Sequence, residues 1–169
     1  MSEQRDVGGM DLRALDGCVV VGDDASRDSQ LAVRWAAEDA ARRGVQLVVV
    51  RAWSITSAPR PKDVEAWYVP SEEEFADAVR EAMASDLAPV LDELKPGTGV
   101  GSVPRVLLMP AHCSAEEALV EASRYAAVIV VGARGRGLAR WLGSVSGGVV
   151  RSAHGPVVVV PGRGERGAD

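Results

Sequence analysis

The stretch Val128-Ile-Val-Val-Gly-Ala-Arg-Gly-Arg-Gly-Leu-Ala-Arg-Trp-Leu-Gly-Ser-Val-Ser146 decides how this chain is read. Residues 128–131 form a continuous apolar run, short enough for a strand buried on both faces. A glycine-rich basic segment over 132–137 follows, and Gly143-Ser-Val-Ser146 leads into a helix that Gly155-Pro156 ends. Strand, glycine loop and hydroxyls at a helix start make a layout that receives an anion. Glycines allow close backbone approach, and the unpaired N–H groups and dipole of the helix start favour negative charge. The same pattern also describes a plain strand-to-helix turn in which Ser144 is only an N-cap. The rest of the chain has to separate these readings.

Working outward, short apolar runs alternate with helical patterns. Strands are predicted over 18–21, 45–53, 103–109, 128–131 and 157–160, and helices over 28–43, 70–94, 114–125 and 144–153. The first helix carries a row of small residues, Ala32, Ala36 and Ala40 beside Val33, Ala37 and Ala41, suited to lying close on a sheet. Gly44 is its expected stop. Ser114 and Glu117 have the spacing of a capping box, and Pro89 is expected to kink the second helix. Residues 54–69, with Pro59 and Pro61, read as a long surface loop and hint at a lid.

Strands alternating with helices predict an α/β fold: a three-layer sandwich around a five-stranded parallel sheet, order 3-2-1-4-5, with helices on both faces. Ligands then bind where the carboxyl ends of strands one and four meet. Those ends carry the turn 22–26 and the segment 132–146, so two polar, glycine-containing turns converge there. This favours the binding reading. Residues 17–161 read as one domain, with 1–16 a mobile arm and 162–169 a charged, glycine-rich tail.

The totals exclude several classes. A net charge of −5 over 169 residues argues against a general nucleic-acid binder; Arg134, Arg136 and Arg140 are a local basic cluster. Cys18 and Cys113 show neither metal spacing nor a disulfide framework, as expected of reduced thiols in cytosol. No apolar run approaches a membrane span, and the polar N-terminus is unlike a signal peptide, so a soluble cytoplasmic protein is expected.

The chemistry narrows by elimination. The turn Gly22-Asp-Asp-Ala-Ser26 lacks a dinucleotide-binding glycine fingerprint. The segment 132–137 has P-loop glycine spacing but is followed by Leu138-Ala139, without lysine or hydroxyl. A receiver domain would need an aspartate ending strand three, where Met109-Pro110 stands. The neighbours His112 and Cys113 have no orienting partner for thiolate chemistry, and His154 suits a helix end. Asp23 and Asp24 do not by themselves specify a metal; Asp24 suits a cap or an acceptor for a ribose hydroxyl.

With Val19-Val-Val-Gly-Asp-Asp-Ala-Ser26, Ala32-Val-Arg-Trp-Ala-Ala37, Leu47-Val-Val-Val-Arg-Ala-Trp53, the glycine segment and Gly155-Pro-Val-Val-Val-Val160, residues 17–161 resemble the universal stress protein family. Many of its members bind ATP through Gly, two residues, Gly, nine residues, Gly, then Ser or Thr, while others do not bind it. The resemblance implies that Gly132, Gly135, Gly143 and Ser144 hold phosphates, with Arg134, Val145 and Ser146 beside them. It further implies that Asp24 accepts from the ribose, flanked by Ala25 and Ser26, and that the backbone of Ala52 meets the adenine. ATP or AMP, with or without Mg²⁺, is the implied ligand, with at most slow hydrolysis and no catalytic residue. A homodimer through Val157–Val160 is the implied assembly. Three departures stand out. Only seven residues separate Gly135 from Gly143, Ala25 replaces a frequent glycine, and Asp23 adds a charge that would repel a phosphate unless a cation intervened. A dimeric interaction module without nucleotide is the alternative.

Overall fold

Five short apolar runs, four of them rich in β-branched residues, build one parallel sheet, whose strands are β1 (Val19–Gly22), β2 (Leu47–Ala52), β3 (Val106–Ala111), β4 (Val128–Gly132) and β5 (Val157–Val160). Their order is β3-β2-β1-β4-β5, as the alternation of elements predicts. The computed structural model describes residues 7–94, 103–134 and 142–162.

The pleat sends alternate residues to opposite faces. Val19, Val21, Leu47, Val49, Val128 and Val130 pack under α1 (Arg27–Arg43) and α2 (Glu72–Asp92). Val20, Val48, Val50, Ile129 and Val131 pack under α3 (Ala115–Ala122) and α4 (Ser144–Ser152). With both faces covered, the central strands read as unbroken apolar runs. On α1 the small-residue row, Ala32, Ala36 and Ala40 with Val33 and Ala37, is buried, so the helix lies close on the sheet. Gly44 closes it in the left-handed conformation (φ 67°), where a side chain would be strained. On α2 the buried residues Phe75, Val79, Met83 and Leu87 repeat every fourth position, and the helix runs through Pro89 to Asp92.

Two expectations need correction. Residues 7–16 are packed rather than an arm: Met10, Leu12 and Leu15 are buried under the α3–α4 face, and Gly8 accepts from the His112 N–H at 2.9 Å. A short helical turn (Leu12–Leu15), capped by Asp11, places two leucines inward, too briefly to register as a period in the sequence. Strand three extends through Pro110 to Ala111 rather than stopping at Met109. The carbonyls of Arg105 and Ala111 accept from Leu47 and from Trp53 just past β2, so by alternation Pro110 faces the open edge, where its missing N–H costs no ladder bond. Residues 1–6 of the predicted arm and 163–169 of the predicted tail lie outside the described residues.

Candidate functional site

The carboxyl ends of β1 and β4 lie side by side, Val21 opposite Val130, with β2 on the other side of β1. After β1 the chain turns tightly. Asp23 donates its N–H to the Val50 carbonyl at 2.9 Å and then folds its side chain back, Oδ1 accepting from the Ala25 N–H (3.0 Å) and the Ser29 hydroxyl (2.9 Å). Asp24 repeats the motif one residue on, its Oδ1 accepting from the Ser26 N–H at 3.0 Å. Ser26 caps α1 by accepting from the Ser29 N–H. These successive Asx turns push Ala25 to φ 62°. The glycine that the resemblance implies at this position has a physical reason: the backbone conformation is one that glycine enters without steric cost.

Asp23 does not face a phosphate as a bare charge. Its side chain is fully buried, and Oδ2 accepts from Arg51 Nε at 2.9 Å and from Arg51 Nη2. Arg51 Nη1 also reaches Asp86 on α2 at 2.8 Å. The carboxylate expected to repel an anion is therefore an internal ion pair that shapes the turn presenting Asp24. With both oxygens engaged, it is poorly placed to hold a cation. Arg51 is the neighbour of the candidate site that sequence reasoning passes over. Its signal is a lone charge inside the apolar run Leu47-Val-Val-Val-Arg-Ala52.

Across the switch point, β4 ends at Gly132, where a Cβ would come within 2.9 Å of the Asp28 carbonyl carbon and 3.0 Å of its oxygen. Gly132 thus lets the start of α1 sit against the end of β4. Arg134 is exposed, with Nε 3.5 Å from Asp28 Oδ2, so its charge is directed at the first turn of α1. Gly135 lies outside the described residues, as do 136–141, most of the shortened loop. The chain re-enters at Leu142, and Gly143 donates to the Ala133 carbonyl at 2.8 Å, tying the α4 start to the end of β4.

The N-cap of α4 is Gly143, not Ser144, and it lends no side-chain oxygen to the helix. Ser144 and Val145 are exposed in the first turn, whereas Ser146 is buried and donates its hydroxyl to the Gly132 carbonyl at 2.6 Å. A helix start without a side-chain cap leaves its first N–H groups for an outside acceptor. Ala52 ends β2, half-buried, two positions beyond Val50, the partner of Gly22. The fold thus gathers Asp24, Ala25, Ser26, Ala52, Gly132, Gly143 and Ser144 at one end of the sheet, with Arg134 and Val145 beside them. It assigns Ser146 to holding the β4–α4 junction.

Thiolate chemistry is disfavoured at Cys113: burial foremost, with the charge of Glu117 added, pushes its pKa up to about 11. Among the described residues no group of three or more His, Cys, Asp or Glu side chains is arranged to hold a metal ion, and no helix is long and apolar enough to cross a membrane.

Residues 18–161 match the model of the universal stress protein family. Among curated proteins the chain is 36% identical over 151 residues to universal stress protein Rv2623 of Mycobacterium tuberculosis, covering 84% of this chain and 46% of that one. It is 38% identical over 145 residues to universal stress protein Rv2005c of the same organism, covering 83% and 44%. The chain therefore spans about half the length of these relatives. Solved structures share the fold. A universal stress protein in complex with cAMP is 24% identical with a TM-score of 0.55, covering 87% of this chain and 98% of that one. The universal stress protein from Archaeoglobus fulgidus in complex with dAMP is 23% identical with a TM-score of 0.55, covering 86% and 98%. On the family match and these identities, the chain belongs to the universal stress protein family.

Proposed function

We propose that this protein binds an adenine nucleotide, ATP or AMP, at the β1/β4 switch point and acts as a stress-response or signalling module rather than a fast enzyme. The carrying observation is the start of α4, where Gly143 caps the helix without a side-chain oxygen and Ser144 is exposed, directly across from the Asp24 turn. The N–H groups and hydroxyl there suit phosphate oxygens, Asp24 suits the ribose, and the backbone of Ala52 suits the adenine edge. Both ligands named for the fold neighbours, cAMP and dAMP, are adenine nucleotides, which supports the same ligand class here. The protein is proposed to be cytoplasmic and dimeric, with two copies of β5 pairing at their open edges.

The second reading, a dimeric interaction module without nucleotide, is favoured by one observation. Two groups near the phosphate position are already engaged internally, Ser146 with Gly132 and Arg134 with Asp28. Native mass spectrometry of freshly purified protein, before and after adding ATP–Mg²⁺, separates the two. A dimer carrying ATP or AMP is expected, with Ser144→Ala and Gly135→Val losing the adduct while keeping the fold. An apo dimer that takes up no added nucleotide would establish the interaction module instead.

A further inference from the structure

Asp28 stands in the first turn of α1, where its backbone packs on Gly132 at the end of β4. The start of α4 bonds to the very next residue, through the Gly143 N–H and the Ala133 carbonyl. Asp28 and the candidate phosphate position therefore flank the same turn, and Arg134 continues that turn.

The carboxylate of Asp28 is boxed in. Gly162, just past β5, runs so close that a Cβ there would come within 2.3 Å of Asp28 Oδ1. The other oxygen, Oδ2, is withdrawn from water and has no hydrogen-bond partner among the described residues. Its compensation comes from Arg134, whose Nε lies 3.5 Å away, close enough for charge attraction but without a hydrogen bond. The setting is lopsided, with the Asp28 side chain 17% exposed and that of Arg134 45% exposed. Drawing Arg134 away would leave a buried charged oxygen with neither counter-charge nor donor, the costly half of a broken pair. Arg134 is thus held by what Asp28 would lose rather than by the strength of the contact.

A single phosphate at the α4 start leaves this pair undisturbed. It meets backbone N–H groups and the exposed Ser144, and one helix start suits one phosphate. Each further phosphate adds negative charge beside Asp28 and calls for a cation, and the cation on this turn is already committed. We infer that Asp28 is a specificity-determining residue, which makes the site select a nucleoside monophosphate over a triphosphate by keeping Arg134 from the outer phosphates. This selectivity rests on the nucleotide reading above and narrows it to AMP.

Calorimetric titration of the full chain with AMP and with ATP, Mg²⁺ present throughout, reads the ratio of the two affinities. The wild type should bind AMP about tenfold more tightly than ATP, and this ratio tests the selectivity without any variant. Asp28→Asn keeps the size of the side chain and frees Arg134, so ATP should tighten about tenfold while AMP gains less. Asp28→Asn/Arg134→Gln exchanges one neutral pair for another and should return ATP to its wild-type affinity. ATP binding the wild type as tightly as AMP would overturn the inference and leave the nucleotide reading standing. So would an Asp28→Asn variant, folded by circular dichroism, whose preference for AMP is unchanged. Binding of neither nucleotide to the wild type would instead overturn the nucleotide reading, and the selectivity would fall with it.

Discussion

Replacing Arg51 with Met removes a guanidinium that serves one buried and one exposed carboxylate at once. Nε and Nη2 reach Asp23, whose side chain is 0% exposed, while Nη1 reaches Asp86, which is 41% exposed. Arg51 itself is 13% exposed. Removing one partner of a buried pair costs about 3–5 kcal/mol, because the other charge is left in low dielectric without its counterion. Asp23 Oδ1 keeps its two donors, Ala25 N–H and the Ser29 hydroxyl, so Arg51→Met belongs at the lower end, about 3 kcal/mol. In a domain of this size that lowers Tm by about 6–12 °C. Asp86→Asn deletes the exposed arm of the same network and should cost less than about 1 kcal/mol. Urea unfolding followed by circular dichroism near neutral pH reads both. The double variant Arg51→Met/Asp23→Asn should recover part of the loss, since no unpaired charge remains. An Arg51→Met variant within about 1 kcal/mol of the wild type would refute the reasoning, and so would an equal cost for Asp86→Asn.

Other outcomes follow from single residues. Ala25→Gly relieves a left-handed alanine, worth about 1–2 kcal/mol, against about 0.5–1 kcal/mol of extra chain entropy, so the variant should be about 0.5–1 kcal/mol more stable in urea. A loss of stability would mean that the Ala25 methyl makes contacts outweighing its strain. Cys113, with its pKa raised to about 11, holds little thiolate at neutral pH, and its reactivity should climb only as pH approaches that value. At about pH 8 iodoacetamide should label it roughly a hundredfold more slowly than a thiol at the ordinary value of 9.0, timed by intact-mass spectrometry, and an ordinary rate would contradict the raised pKa. Val159→Pro tests the proposed dimer with little damage to the sheet. The carbonyls of Pro156 and Val160 accept from the β4 side, so by alternation the Val159 N–H faces the open edge. Monomers in sedimentation are expected, whereas a persistent dimer would place the interface elsewhere.

How much was legible depended on whether a feature is periodic. The sheet order, the small-residue row on α1, the Gly44 stop and the span of β5 all follow from patterns that repeat over a strand or helix. The sequence places the end of β3 at Met109, before the proline, and only sheet position reveals that Pro110 faces outward and lets the strand continue to Ala111. The packed segment before β1 is invisible to periodicity because Met10, Leu12 and Leu15 are too few to form a period. Within the site, glycines and caps were visible as residue types, but pairings across the fold were not. Asp23 and Arg51 stand 28 positions apart and meet only because β1 and β2 are neighbours in register. The same blindness hid the facing of His112 by Trp53 and of Asp28 by Arg134, each joined by topology rather than by spacing.

The burial of Asp23 changes what the departures from the family motif mean. A carboxylate after β1 and an alanine in place of glycine look in sequence like two separate losses of binding capacity. In the fold they are parts of one device. Asp23 draws the Ala25 N–H and the Ser29 hydroxyl onto one oxygen while Arg51 compensates the other, and this holds a left-handed turn that alanine alone would resist. The turn then carries Asp24 and delivers Ser26 to cap α1. Charge repulsion from Asp23 therefore drops out of the case against a nucleotide, and the charge of Arg134, directed at Asp28, weakens as an argument for one. What remains to attract a phosphate is the start of α4, a backbone feature that depends on neither side chain. Affinity for a nucleotide at the proposed site should accordingly depend on Arg51 in two ways, through the turn it supports and through the Asp23 charge it compensates. Arg51→Met should therefore lose more binding than its loss of stability accounts for, and Ala25→Gly, which eases the turn but leaves Asp23 uncompensated, should restore stability more than affinity.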